Sequence, residues 1–347
     1  MSQVEDMKSV LRHVAAGERL GVEQARHAFG LMMAGEATPA QMGAFLMGLR
    51  VRGETIEEIT GGALALRARV VKVTAPSHAI DTCGTGGDAS GSFNISTAAA
   101  LIVAGAGVPV AKHGNRALSS RSGSADLLGA LGVNLDAEVP LIEEALRMAN
   151  IGFMMAPRHH GAMRHVAPSR VELGVRTIFN LLGPLSNPAG AKRQLLGVFA
   201  AEWLEPMAHV LRNLGAERVW VVHGADGLDE LTTTGPSHIA ELRGGQVRRF
   251  EITPEEVGLP RARLEDLRGG DGEENARLLR ELLDGAKGPL RDIVLLNAAA
   301  ALVIADKAPD LKAGLQLAAR AVDTGRARAA LEALIAITNR PPPTDLS

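Results

Sequence analysis

After Pro76 the chain changes rhythm: short β-branched runs alternate with Ala- and Leu-rich helical windows, and each run ends in a loop of Gly, His, Ser or Asn. Parallel neighbours need a long crossover between them, so this alternation predicts a mostly parallel sheet covered by helices. The candidate strands are 78–82, 108–111, 151–155, 195–199 and 219–222. Gly244-Gly245, inside 241–247, reads instead as the turn of a β-hairpin. The stretch from Arg164 is helical and stops at Gly183-Pro184-Leu185-Ser186-Asn187-Pro188, which interrupts the sheet pattern.

Ahead of the sheet pattern, residues 4–70 are helical throughout, with room for four short helices. Thr38-Pro39-Ala40-Gln41 and Thr55-Ile56-Glu57-Glu58 carry the Thr and Gln/Glu spacing of a capping box. The expected fold is α/β: a small N-terminal helical domain plus a larger α/β domain with a central, mostly parallel sheet. The helical domain is residues 1–73, completed by helices within about 164–190; the α/β domain is 74–163 and 191–340, followed by a frayed tail, 341–347. At 347 residues the chain is long enough for two cores.

Several classes of function are disfavoured at this stage. Thirty-seven basic residues nearly cancel 39 acidic ones, and with seven Phe, two Trp and no Tyr there is little for stacking bases, so no nucleic-acid partner is expected. The apolar stretch 293–305 is too short for a bilayer and contains Asn297, so no membrane partner is expected either. A single cysteine, Cys83, suits a reducing compartment, and the acidic start Met1–Asp6 is followed by no apolar run; a cytoplasmic location is expected.

Chemistry concentrates in three loops. The first, from Asp81, carries Gly84, Gly86 and Gly87 and enters an Ala-rich helix near Ser96, so its amides and the helix start form a cradle for phosphate. It is neither a dinucleotide fingerprint nor a Walker loop, since Ala89 stands at the third glycine and no Lys follows Gly91. The second is the basic, serine-rich run 112–124, in which Lys112 and Arg116 can neutralise phosphates. Consecutive parallel strands deliver their loops to one edge, so the two should face each other. The third, Gly224–Leu231, brings Asp226, Asp229 and Glu230, hard oxygen donors of the kind Mg²⁺ takes beside a polyphosphate. By contrast, His159, His160 and His165 lack zinc spacing, and Cys83 has no base tied to it. Arg170, in the helical insertion, can fork onto a carboxylate across a cleft, pair with Glu172 or simply face solvent.

In this order, Gly84-Thr-Gly-Gly-Asp88, Asn94-Ile-Ser-Thr97, Lys112-His-Gly-Asn-Arg116, Arg176-Thr-Ile-Phe-Asn180 and Asp229-Glu230 resemble the anthranilate phosphoribosyltransferase family of the tryptophan pathway, over nearly the whole chain. The resemblance implies the nucleoside phosphorylase/phosphoribosyltransferase type of fold and a homodimer formed through the helical domain. It also implies transfer of phosphoribosyl from phosphoribosyl pyrophosphate to anthranilate, with Mg²⁺. It assigns the donor to Gly84, Gly87, Asp88, Ser92, Asn94, Ile95, Ser96, Thr97, Lys112, His113, Gly114, Asn115, Arg116, Ala117, Leu118, Ser119, Ser120 and Ser124. Anthranilate falls to Gly84, Asn115 and Arg170, and Mg²⁺ to Ser96, Asp229 and Glu230. Ser92 stands where the family usually has Thr, and Gly161 where Pro is common.

An aromatic amine is unprotonated at neutral pH, so the implied reaction needs no general base before attack, and none is assigned. The nearest rival, a pyrimidine nucleoside phosphorylase, would carry Lys-His-Ser-Thr-Gly-Gly where this chain has Lys112-His-Gly-Asn-Arg116. A non-catalytic nucleic-acid binder on the same scaffold is opposed by composition.

Overall fold

The structure is a computed structural model, described here for residues 6–87, 91–117 and 121–341. Four helices open the chain: α1 (Met7–Ala15), α2 (Val22–Ala34), α3 (Pro39–Arg52) and α4 (Ile56–Arg67). Both expected capping boxes form: Thr38 accepts from Gln41 N–H and Thr55 from Glu58 N–H, each with the reciprocal side-chain bond. Gly61 lets α4 cross α2 closely, since a Cβ there would lie 2.5 Å from the Val22 carbonyl oxygen.

The sheet follows as β1 (Ile80–Gly84), α5 (Ile95–Gly105), β2 (Val110–Gly114), α6 (Ser124–Ala130), α7 (Val139–Met148) and β3 (Ile151–Met155). The chain then leaves it through α8 (Ala156–His159), α9 (Ala167–Leu173) and α10 (Phe179–Leu182). It returns as β4 (Arg193–Gly197), α11 (Leu204–Asn213), β5 (Arg218–Gly224), β6 (Ser237–Arg243) and β7 (Gln246–Ile252). Four helices close it: α12 (Gly272–Leu283), α13 (Pro289–Ile304), α14 (Leu311–Asp323) and α15 (Arg326–Thr338).

The order is β3-β2-β1-β4-β5-β6-β7, with the first five strands parallel and the last two antiparallel. Gly244 and Gly245, both at positive φ, turn the β6–β7 hairpin as expected. β1 lies two residues later than its side chains suggested, and β2 starts two and ends three residues later. Lys112, Gly84 and Gly114 are poor strand formers taken singly, but Gly84 pairs with Gly197 and Gly114 with Met155, and neighbouring strands decide.

Side chains alternate across the sheet. Leu195, Trp220 and Val222 face a core with α5, α13 and α15, while Leu196, Val219 and Val221 face α11 and the N-terminal helices. Val166, Ile178, Phe179, Leu182 and Leu185 from the 164–190 stretch join that second core, and Phe179 meets Phe29 edge-on at 5.5 Å. Among the described residues no helix is long and apolar enough to cross a membrane.

Candidate active site

The chain runs outward from β1 through β2 to β3, then returns to lay β4 on the other side of β1. Loops leaving β1 and β4 therefore part, and a crevice opens at the carboxyl edge of the sheet. Gly86 and Gly87 turn the first loop at φ +67° and +75°, where a side chain is strained. Gly84 is needed for space instead: a Cβ on it would lie 2.3 Å from Asp229 Oδ2, and one on Gly197 would lie 1.5 Å from the Asp229 carbonyl oxygen. Asp229 thus rests on two side-chain-free strand ends, and its Oδ2 accepts the Gly86 N–H at 2.8 Å.

Beside it, Glu230 Oε1 accepts the Ser96 N–H at 3.1 Å in the first turn of α5. Lys112 lies beneath that turn, 1% exposed, donating to the Thr82 carbonyl oxygen at 2.6 Å and reaching Ser96 Oγ at 3.4 Å. Burial pushes its pKa down, and nearby negative charge, Asp81 foremost, pulls it back. Asp81 is fully buried, and desolvation raises its pKa against the opposing pull of Lys112. Asn187 donates to Asp81 Oδ2 at 2.7 Å and to the Ala111 carbonyl oxygen at 2.8 Å, tying β1 and β2 to the end of the helical insertion.

In the second loop the Asn115 side chain accepts the Arg116 N–H at 2.8 Å, and its carbonyl oxygen accepts from Ser124 Oγ and Ala125 N. Arg116 does not stand alone over the crevice; it pairs with Asp126 at 3.1 Å. Burial alone would raise the Asp126 carboxyl, but donations from Ala117, Gly123 and Arg116 hold it below its ordinary range. Gly114 is side-chain-free because a Cβ there would lie 2.0 Å from Ser124 Oγ. Arg170 neither pairs with Glu172 nor sits in open solvent: its guanidinium lies 5.3 Å over the Phe179 ring, and burial lowers its pKa. Arg176 reaches from the same insertion to the Gly87 carbonyl oxygen, its guanidinium 4.4 Å over the Phe199 ring.

Comparison with known proteins decides the relationship. The α/β domain of the glycosyl transferase family matches residues 76–328, and its helical bundle domain matches 8–70. The anthranilate phosphoribosyltransferase of Azospirillum brasilense is 63% identical over 334 residues, 96% of this chain and 94% of that protein. That of Rhodospirillum rubrum is 61% identical over 336 residues, 97% of each. The chain belongs to the anthranilate phosphoribosyltransferase family. Among solved structures, the anthranilate phosphoribosyltransferase of Thermus thermophilus superposes with TM-score 0.91 at 49% identity, over 95% of this chain and 99% of that one. The enzyme of Saccharomyces cerevisiae in complex with PRPP and Mg gives 0.88 at 27%, over 96% and 97%.

Of the residues the anthranilate phosphoribosyltransferase motifs single out, the described ones of the glycine loop, the α5 start, the second loop and Asp229-Glu230 gather at this edge. Arg170 stands apart, on the helical insertion. Asp88, Leu118, Ser119 and Ser120 lie outside the described residues. Ile95 is buried in the core, so only its backbone is available to a ligand. Ser92 bridges Arg268 through the backbone. Thr97 Oγ1 and the Nε2 atoms of His113 and His160 are buried without hydrogen-bond partners, the two rings 5.0 Å apart. Of the other histidines considered for zinc, His159 bonds the Val71 carbonyl oxygen and His165 accepts from Arg164. Cys83 takes a hydrogen bond from Gln194, and burial raises its thiol well above the ordinary value.

Three buried asparagines, none of them read from the sequence as a site residue, hold the loops from behind. Asn187 grips Asp81; Asn275 of α12 donates to Asn94; Asn297 of α13 accepts the Leu231 N–H and donates to the Leu231 carbonyl oxygen, one residue from Glu230. Asp226, the third carboxylate of that loop, accepts from Thr232 and Thr234 and is engaged in the turn itself. The Ser96 hydroxyl, Asp229 and Glu230 are hard oxygen donors at the mouth of an amide cradle. That set fits Mg²⁺, which is commonly held by one or two carboxylates plus water and substrate phosphate.

Proposed function

We propose that the chain transfers phosphoribosyl from phosphoribosyl pyrophosphate to the amine of anthranilate, giving N-(5-phosphoribosyl)anthranilate and diphosphate. The C1–O bond to diphosphate breaks, a C1–N bond forms, and the amine nitrogen releases one proton. One observation carries the reading: Asp229 bonds the glycine loop while its neighbour Glu230 bonds the start of α5, so the carboxylate pair and the amide cradle form one face.

In this reading the donor lies on Gly84, Gly87, Asp88, Ser92, the 94–97 turn, the 112–120 loop and Ser124. The main-chain amides and Lys112 offset charge that grows on the departing diphosphate. Mg²⁺, held by Ser96, Asp229 and Glu230, would stabilise the same charge. Arg170 addresses the anthranilate carboxylate, with Gly84 and Asn115 beside the ring; stacking on Phe179 keeps its fork oriented. With the division at residue 73 and the 164–190 helices counted with the first domain, Arg170 would approach the acceptor from the wall that faces the donor loops. A homodimer formed through the helical domain belongs to the same reading. Sedimentation velocity at micromolar concentration tests that point.

Anthranilate fluorescence tests the reaction. It should fall when phosphoribosyl pyrophosphate and Mg²⁺ are added together and stay constant when either is left out. Persistence of the signal with both present would refute the reading.

A further inference from the structure

Asn94 stands at the N-cap of α5, where an Asn side chain ordinarily accepts an N–H of the first turn. Here it makes no such bond. Its Oδ1 accepts from Asn275 Nδ2 at 2.8 Å and from Ser122 Oγ at 3.1 Å, while its Nδ2 donates to the Ser122 carbonyl oxygen at 3.1 Å. Two donors saturate the two lone pairs of a carboxamide oxygen, so the cap is withheld by engagement elsewhere. Asn275 is itself immobilised: fully buried, it accepts the Gly270 N–H at 2.7 Å.

The segment leading into α12 braces the same loop. Phe93 N–H donates to the Leu267 carbonyl oxygen at 3.0 Å, Gly269 N–H donates to that of Gly91 at 3.0 Å, and Ser92 bridges Arg268. Gly269 must lack a side chain, since a Cβ there would lie 2.7 Å from Asn275 Oδ1 and 2.8 Å from Phe93 Cα. One element, remote in sequence, thus holds the 91–94 segment and, through Asn94, the Ser122 end of the second loop.

We propose that Asn275 is a positioning residue for donor binding: it draws the Asn94 carboxamide sideways onto Ser122, locking the two loops together so that the start of α5 and the second loop meet the donor as one wall. The inference rests on the donor reading above and goes beyond it, since Asn275 itself touches no substrate.

The test compares wild type, Asn275→Ala and Ser122→Ala by steady-state kinetics and by hydrogen exchange of the 94–98 amides. Freed from Asn275, Asn94 should loosen its hold on Ser122, and the KM for phosphoribosyl pyrophosphate should rise roughly tenfold, the order of one hydrogen bond. The KM for anthranilate and kcat should hold within about twofold, since neither depends on that bond. Exchange at Thr97 and Ala98, whose amides donate to the Asn94 carbonyl oxygen, should quicken. Ser122→Ala, which removes the weaker bond, should move the donor KM the same way by less, and it decides the matter if Asn275→Ala does not fold. An unchanged donor KM, equal losses for both substrates, or unchanged exchange at Thr97 and Ala98 would overturn the proposal. Absence of donor-dependent turnover in the wild type would instead overturn the donor reading.

Discussion

The Glu230 carboxylate accepts the Ser96 backbone N–H at 3.1 Å across 134 residues of sequence. It thereby occupies an amide at the positive end of α5, where a negative group is favoured. The contact brings one carboxylate of the pair to the serine whose hydroxyl Lys112 approaches from below. Ammonium, hydroxyl, amide and carboxylate are drawn into one cluster by three elements, α5, β2 and the loop after β5.

The double variant Asp229→Asn, Glu230→Gln keeps the size of both side chains and removes both charges. Losing a charged contact costs on the order of 1.5–3 kcal/mol, so magnesium-dependent turnover should fall about 10- to 150-fold. Mn²⁺ binding followed by electron paramagnetic resonance should weaken in parallel, with thermal unfolding little changed. Wild-type Mn²⁺ affinity in the variant would show that the pair serves the loop alone.

Gly197→Ala tests the floor beneath Asp229 without altering a polar side chain. The new methyl would lie 1.5 Å from the Asp229 carbonyl oxygen, so the carboxylate loop must shift. Overpacking of this kind costs about 1–3 kcal/mol. The expected result is a lower unfolding midpoint and a raised magnesium requirement. Gly183→Ala, with open space around its Cβ, is the control and should change neither.

Much of this architecture is readable locally. Thr38 with Gln41 and Thr55 with Glu58 act over three residues, and Gly244-Gly245 over two, so their meaning survives in a short window. Asn187, Asn275 and Asn297 act across 106, 181 and 66 residues, on Asp81, Asn94 and Leu231. In sequence each is one polar residue near Gly, Pro or Ala, and only the fold supplies its partner. Gly84 is readable as a glycine the loop requires, yet for conformational freedom; Asp229 supplies the actual reason. Arg116 reads in sequence as a free phosphate ligand because Asp126, its partner, lies ten residues on, beyond the loop.

Arg170→Ala separates acceptor from donor. The residue stacks on Phe179, away from the glycine loop, so its loss should raise the KM for anthranilate and spare that for phosphoribosyl pyrophosphate. A lost carboxylate fork costs on the order of 1.5–3 kcal/mol, about 10- to 150-fold in KM. Lys at this position should rescue little, because a point charge cannot reproduce the planar fork or the stacking. Equal damage to both substrates would make Arg170 a packing residue.

Acid should destabilise the fold earlier than its carboxylates alone predict. Burial foremost, with the neighbouring histidines, holds His113 well below its ordinary pKa and His160 at about 4. Unfolded imidazoles titrate near 6.5, so below that pH the unfolded chain binds more protons than the native one. Stability is therefore complete above about pH 6.5 and drains as the pH falls, by up to about 1.4 kcal/mol per unit for each group. For His160 the loss continues down to about pH 4. Asp81, whose carboxyl burial raises, works in the opposite sense, so the wild-type curve alone is ambiguous. Urea unfolding of wild type and His160→Asn at pH 7.5, 6 and 5 isolates the contribution: the variant should lose clearly less stability between pH 6 and 5. Parallel curves would mean that His160 is protonated in the native state.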